Sequence, residues 1–121
     1  MKLSSKAPSG AVISKYTVHK NGSNQYYFIL VAKTGETLLT SELFYIKLSC
    51  KAAIASTKRY AAEKSNYKKE SSKGQYFFIL KMDNGEKIAT SMMYSTPEDR
   101  DKAMEKVMRE GPSAILIQTT R

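Results

Sequence analysis

The sequence predicts an α+β domain made of two pseudo-symmetric β-β-β-α-β halves, and three observations predict it. The first is an internal duplication. Shifting the chain by 50 places aligns Gln25-Tyr-Tyr-Phe-Ile-Leu with Gln75-Tyr-Phe-Phe-Ile-Leu, and 9 of the 20 positions in residues 25–44 are identical to those in residues 75–94. The second is the order of patterns inside each copy: a β-rich run, a glycine turn, a second β-rich run, then a segment at helical period. The third is size. A chain of 121 residues, 41% hydrophobic and 26% charged, suits one globular domain, and a single cysteine leaves packing alone to hold the core.

Each element follows from local chemistry. Residues 1–14 are expected to form a flexible leader, before a single tandem-repeat domain over 15–121. Tyr16-Thr-Val-His-Lys opens the first copy as a strand, and a polar glycine loop leads to the aromatic strand that begins at Gln25. Thr34-Gly35 marks its hairpin turn. Cys50, Ala53, Ile54, Thr57 and Ala61 then recur at helical spacing, and the alanine-rich run to Ala62 favours helix. Repeat one spans about 15–62, a basic joint about 60–73 and repeat two about 67–121. Tyr67-Lys-Lys-Glu is the second copy's opening strand, and Asn84-Gly85 predicts a tight two-residue hairpin of type I′. Thr96-Pro97-Glu98-Asp99 supplies an N-cap hydroxyl, a proline at the first helical position and acid in the first turn; Ala103, Met104, Val107 and Met108 follow on one face. Gly111-Pro112 ends that helix, and Ala114-Ile-Leu-Ile-Gln118 is a closing strand.

The doubled Tyr-x-Phe-Ile-Leu strand, the Gly-Glu turn, the Thr-Ser pair with a following aromatic, and the helix, repeated at this period, resemble the bacterial YegP-like family of tandem repeats of unknown function. The resemblance covers nearly all of Tyr16 to Gln118. It implies a single antiparallel sheet of two β-β-β-α-β motifs with exchanged last strands and helices on one face. It implies no established activity. The chain departs from the family pattern in its leader, Met1 to Ser14, in the basic joint, Tyr60 to Lys73, and in Ala53-Ile54 where a Gly-Ile pair is usual.

Strand alternation divides the aromatic strands into two sets. Tyr26, Phe28 and Leu30 with Tyr76, Phe78 and Leu80 are expected to face the core, with Leu38 and Ile88 as partners beneath the helices. Tyr27, Ile29 and Val31 with Phe77, Ile79 and Lys81 then face away, joined by Leu39 and Ala89. An open face so apolar calls for a cover or a partner. The leader residues Ala11, Val12 and Ile13 are one cover, and a sister subunit is another. Tyr27, Ile29, Val31, Leu39, Phe77 and Ile79 are therefore the candidate partner surface. Flanked by Lys33, Lys81 and Lys87, the rings of Tyr27 and Phe77 also suit stacking against single-stranded nucleic acid.

Charge is unevenly spread. The formal +9 lies wholly in residues 1–74, which hold 13 basic and 4 acidic side chains, whereas residues 75–121 hold 7 of each. Lys47, Lys51, Lys58, Arg59, Lys64, Lys68, Lys69 and Lys73 form a candidate polyanion patch opposed only by Glu63 and Glu70. The plainer role of such a patch is solubility.

Catalytic chemistry is not indicated. His19 is the only histidine and has neither metal-ligand nor triad spacing around it. The Thr40-Ser41 and Thr90-Ser91 pairs are expected to satisfy backbone groups rather than act as nucleophiles. No glycine-rich phosphate loop occurs. Cys50 lies near Lys47 and Lys51, but burial as a small hydrophobe is its expected state, and Met92-Met93 and Met104-Met108 are expected to fill the core. No catalytic residue, cofactor or metal is assigned. No run reaches the roughly 18 apolar residues of a membrane helix and the start lacks a signal-peptide core, so a cytoplasmic protein without a membrane partner is expected. The function expected is a small non-enzymatic binding or protein-interaction module, self-associating through the apolar sheet face. The alternative is a nucleic-acid binder that uses the basic joint and the sheet aromatics.

Overall fold

The computed structural model describes residues 13–117. Seven strands and two helices follow in the order β1 Lys15–Lys20, β2 Tyr26–Val31, β3 Thr37–Ser41, α1 Lys47–Tyr60, β4 Tyr67–Ser72, β5 Gln75–Lys81, β6 Lys87–Thr90, α2 Pro97–Glu110 and β7 Ile115–Ile117, with one 3-10 turn at Lys64–Asn66 before β4. The strands make a single sheet in the order β4-β5-β6-β3-β2-β1-β7. Its centre is the junction of the two copies, where Thr40 pairs with Thr90 and Ser41 with Ala89. Both helices contact the sheet, α1 over β1 and β2 and α2 over β3 and β5.

The exchange of closing strands is visible in this order. One strand, β4, follows α1; it closes the first copy and opens the second, pairing along its length with β5. The other closing strand, β7, lies against β1 of the first copy and runs parallel to it. The sheet is therefore mixed rather than wholly antiparallel. A strand reached through a helix is free of the antiparallel constraint that a hairpin imposes.

The hairpin turns differ from the two-residue type expected at Asn84-Gly85. Gly85 N–H donates to Met82 O at 2.9 Å and Met82 N–H to Glu86 O at 2.8 Å, leaving three residues in the loop; Gly35 and Ala32 repeat the arrangement. Only the glycines take positive φ, 96° at Gly35 and 90° at Gly85, which is the G1-bulge form of a three-residue hairpin. The two-residue turn lies instead at Lys73-Gly74, where both residues have positive φ and Ser72 pairs with Gln75.

Beneath the helices the core comprises Tyr16, Val18, Phe28, Leu30, Leu38, Leu39, Cys50, Ile54, Phe78, Leu80, Ile88, Ala89, Met104 and Val107, among others. Leu39 and Ala89, which simple alternation places on the open face, are instead fully buried. Register explains it: the pairing shifts after Leu30 and after Leu80, so Leu39 stands opposite Leu30 and Ala89 opposite Leu80. The irregularity inserts one residue, Leu38 or Ile88, and a single inserted residue reverses the alternation that follows. Tyr26 and Tyr76, expected in the core, are half-buried at its margin and bridge to Phe44 and Tyr94. Met92 and Met93 are about half exposed, against expectation, because the chain there has left β6 and not yet entered α2.

The two helix ends are held by matching tyrosines. Tyr16 on β1 donates its hydroxyl to Gly111 O at 2.7 Å, and Tyr67 on β4 donates to Ala61 O at 2.5 Å. Residues 61 and 111 are equivalent under the 50-residue shift, and they meet: a Cβ added at Gly111 would lie 3.0 Å from Ala61 Cβ. Burial pushes both tyrosine hydroxyls well above their ordinary pKa, so both remain protonated donors.

Candidate functional site

The face of the sheet away from the helices carries one continuous row of paired side chains. From edge to edge it reads Ile117, Thr17, Ile29, Thr40, Thr90, Ile79 and Lys68, crossing all seven strands. Two further rows flank it. His19 stands opposite Tyr27 in one half and Glu70 opposite Phe77 in the other; Val31 and Lys81 lie beyond. Tyr27, Ile29, Val31, Phe77 and Ile79 are all half-buried, and none belongs to the core cluster. The strands thus bring five of the six expected surface residues together, and the register shift removes only Leu39.

This face is uncharged at its centre, where isoleucines flank the Thr40–Thr90 pair, and charged toward the β4 edge. The His19 ring stacks on Tyr27 with centroids 5.3 Å apart, and its Nε2 lies 2.7 Å from Thr17 Oγ1. That pairing and the stacking contact fix the orientation of the ring. In the second half Lys68 pairs with Glu70 at 3.2 Å beside Phe77. Ile13, just ahead of β1, is exposed and Ser14 is tied to Glu110 at 2.8 Å; Ala11 and Val12, the other residues considered as a cover, lie outside the described residues.

The basic residues are spread over several elements. Lys47, Lys51, Lys58 and Arg59 lie on α1, Lys64 on the 3-10 turn and Lys73 in the β4–β5 turn. Lys68 is opposite Ile79 on the open face, whereas Lys69 is opposite Phe78 and reaches Asp101 of α2 at 3.3 Å on the helix side. Alternation along β4 therefore splits the neighbouring pair Lys68 and Lys69 between the two faces.

Other chemistry-bearing groups serve structure. Ser41 accepts from Phe28 N–H at 2.9 Å and donates to Glu42 O at 2.7 Å, and Ser91 repeats both bonds with Phe78 and Met92. Cys50 is buried, and desolvation pushes its thiol up to about 11, which disfavours the thiolate. Glu110, not singled out from the sequence, is buried and accepts from both Ser14 Oγ and Lys33 N–H. Among the described residues no group of three or more His, Cys, Asp or Glu is placed to hold a metal. No described helix is long and apolar enough to cross a membrane. Sequence reasoning also missed Leu43, Tyr45, Ile46 and Leu48, the most exposed run of large apolar side chains. The signal was available in the comparison of Ile46 with its counterpart, the helix-capping Thr96.

Comparison with known proteins agrees with this architecture. A family model described as a domain of unknown function, DUF1508, matches residues 21–67 and again residues 71–117. The UPF0339 protein YegP of Escherichia coli strain K12 is 36% identical over 106 residues, covering 87% of this chain and 96% of the relative. A UPF0339 protein of Shewanella oneidensis is 34% identical over 106 residues, with 87% and 96% covered. The solution NMR structure of E. coli YegP, itself described as a protein of unknown function, superposes with a TM-score of 0.83 at 33% identity over 90% of this chain and 95% of that one. With both copies matched and the fold shared over most of its length, the chain belongs to the DUF1508 family and is a YegP-like UPF0339 protein, of a family whose function is uncharacterised.

Proposed function

We propose that the protein is a non-enzymatic interaction module that self-associates through the open sheet face. The observation that carries this reading is the half-exposed apolar set Tyr27, Ile29, Val31, Phe77 and Ile79 on the side the helices leave uncovered. Sheets pack face to face at about 10 Å through such surfaces, and an apolar face without a cover is uncommon on a monomer. The face also suits a second copy of itself. Its central residues, Ile29, Thr40, Thr90 and Ile79, are uncharged and near-symmetric about the junction of the repeats, so two copies meet without opposing like charges at the centre.

Replacing Ile29 with Glu places a charge in the middle of the contact and leaves the core untouched, since the side chain already borders solvent. Sedimentation of the parent is expected to show a dimer, and the variant a monomer with an unchanged circular-dichroism spectrum. A dimer that persists in Ile29→Glu removes the sheet face from the contact. Nucleic-acid binding is the second reading, favoured by the placement of Lys68 and Lys81 on the same face as Phe77. It requires affinity for a single-stranded oligonucleotide that falls steeply between about 50 and 200 mM salt.

A further inference from the structure

The most exposed large apolar side chains lie outside the strands. Tyr45 is 80% exposed, Leu48 75%, Ile46 63% and Leu43 52%, all between the end of β3 and the first turn of α1. The second copy shows what the fold needs at these positions. Under the 50-residue shift Leu43, Tyr45, Ile46 and Leu48 become Met93, Ser95, Thr96 and Glu98. There Thr96 caps α2 by accepting from Asp99 N–H at 3.0 Å, Pro97 occupies the start, and Glu98 and Asp99 place acid in the first turn.

In α1 each of these devices is missing. Ile46 makes no side-chain capping bond, no acidic residue occurs in the first turn, and Lys47 stands where the second copy has Pro97. Both the cap and the charge of the first turn are thereby set against helix stability. The fold does not require Tyr45, Ile46 or Leu48, since its second copy has Ser95, Thr96 and Glu98 in their places. Their exposure needs an occupant.

Charge identifies its chemistry. From Leu43 to Ala62 the chain has no acidic residue, while Lys47, Lys51, Lys58 and Arg59 line α1. A second copy docked patch to patch would set Lys47 and Lys51 against their equals, so the complement is anionic. Shape narrows it further. Three clefts, around Tyr67 and Met82, around Glu36 and Lys106, and around Ser14 and Ile115, are lined by other residues. Instead the apolar side chains protrude, one of them a tyrosine, beside lysines. A protrusion of this composition suits a deformable interface, where apolar groups enter among acyl chains, a tyrosine sits at headgroup level and ammonium groups meet phosphates. We propose that the β3–α1 turn is a peripheral contact for an anionic bilayer, inserted through Tyr45, Ile46 and Leu48 and held by Lys47 and Lys51. This departs from the expectation of no membrane partner, which rested on the lack of a spanning segment and of a signal-peptide core and does not bear on a peripheral contact.

The test is co-flotation of the full chain with vesicles of phosphatidylcholine containing about one-third phosphatidylglycerol, against pure phosphatidylcholine. The informative variant carries the second copy's residues, Tyr45→Ser with Ile46→Thr and Leu48→Glu. It adds a helix cap and an acid at the N-terminus of α1, so its melting temperature is expected to equal or exceed that of the parent. The parent is expected to float with the anionic vesicles only, and the variant to bind at least about 10-fold more weakly. Because the chain has no tryptophan, Tyr45→Trp gives a single reporter whose emission is expected to shift to the blue on the anionic vesicles. No flotation of the parent, equal flotation of the triple variant, or an unshifted tryptophan spectrum despite flotation of the Tyr45→Trp variant overturns the proposal. The first of these outcomes leaves an acidic protein as the occupant.

Discussion

Glu36 follows the turn glycine of the first hairpin, where a carboxylate is usually solvated, yet it is gripped from another element. Lys106 of α2 donates to one of its oxygens and Thr34 to the other, and these bonds hold the carboxyl at about 2, well below its ordinary 4.5. A folded-state value below the unfolded one means that stability from this contact is complete above about pH 4.5 and is lost as pH falls toward 2. The groups are partly exposed, so the contribution is small, below about 1 kcal/mol. Lys106→Gln is expected to melt slightly below the parent at pH 7 and to converge with it as pH falls through about 2; a gap that persists in stronger acid would assign the loss to packing of the lysine stem. Other residue roles were legible. The repetition of Thr-Ser marked the serines as backbone partners, because a bond needed by the fold is needed in both copies, and both serines make it. Glu36 and Lys106 do not repeat as a pair: Glu86 has Ser56, not a lysine, at the position equivalent to Lys106. No local pattern announced the contact.

Elements were legible where their signals were short-range. Thr96, Pro97 and the two acids located the start of α2 to the residue, whereas α1, with none of them, begins at Lys47, three residues before the periodic set that revealed it. Leu39 was misplaced because alternation assumes an unbroken ladder, and the shift beside Val31 is a property of the pairing rather than of either strand alone. The junction of the two helix ends was equally hidden. Gly111 ends α2 with φ −57°, so no left-handed conformation demands glycine there; space does. An alanine Cβ would sit 2.7 Å from Val107 O and 3.0 Å from Ala61 Cβ, beneath the Tyr16 hydroxyl at 3.4 Å. Overpacking of this kind costs about 1–3 kcal/mol. Gly111→Ala is therefore expected to lower the urea midpoint clearly, while Gly22→Ala, whose Cβ meets nothing within 4 Å, leaves it within experimental error. Equal midpoints for the two variants would show that the helix ends yield to one methyl group.

At the scale of the molecule, duplication made the tandem plan readable and concealed how far the two copies depend on each other. Tyr16 of the first copy holds the end of α2, and Ser14 and the Lys33 backbone share the buried carboxylate of Glu110. Glu36 meets Lys106, and β7 has β1 as its neighbour. In the other direction β4, reached through α1, pairs with β5 of the second copy. A fragment that starts at Tyr67 would keep α2 and three antiparallel strands, but it would lose the partners of Glu110 and of the Gly111 carbonyl and leave Ile115, Leu116 and Ile117 with no sheet to join. The core is shared by both copies, apolar burial contributes about 25 cal/mol per Å², and total stability for a domain of this size is only about 5–15 kcal/mol. The half therefore lacks the margin to fold. The full chain is expected to unfold in one cooperative transition, with fluorescence and circular dichroism coincident, and the fragment 67–117 to show neither a sigmoidal melt nor dispersed amide resonances until the fragment 13–66 is added. Independent folding of either fragment at a midpoint near that of the parent would mean that the exchanged strands and the paired tyrosine caps ornament two complete domains rather than complete one.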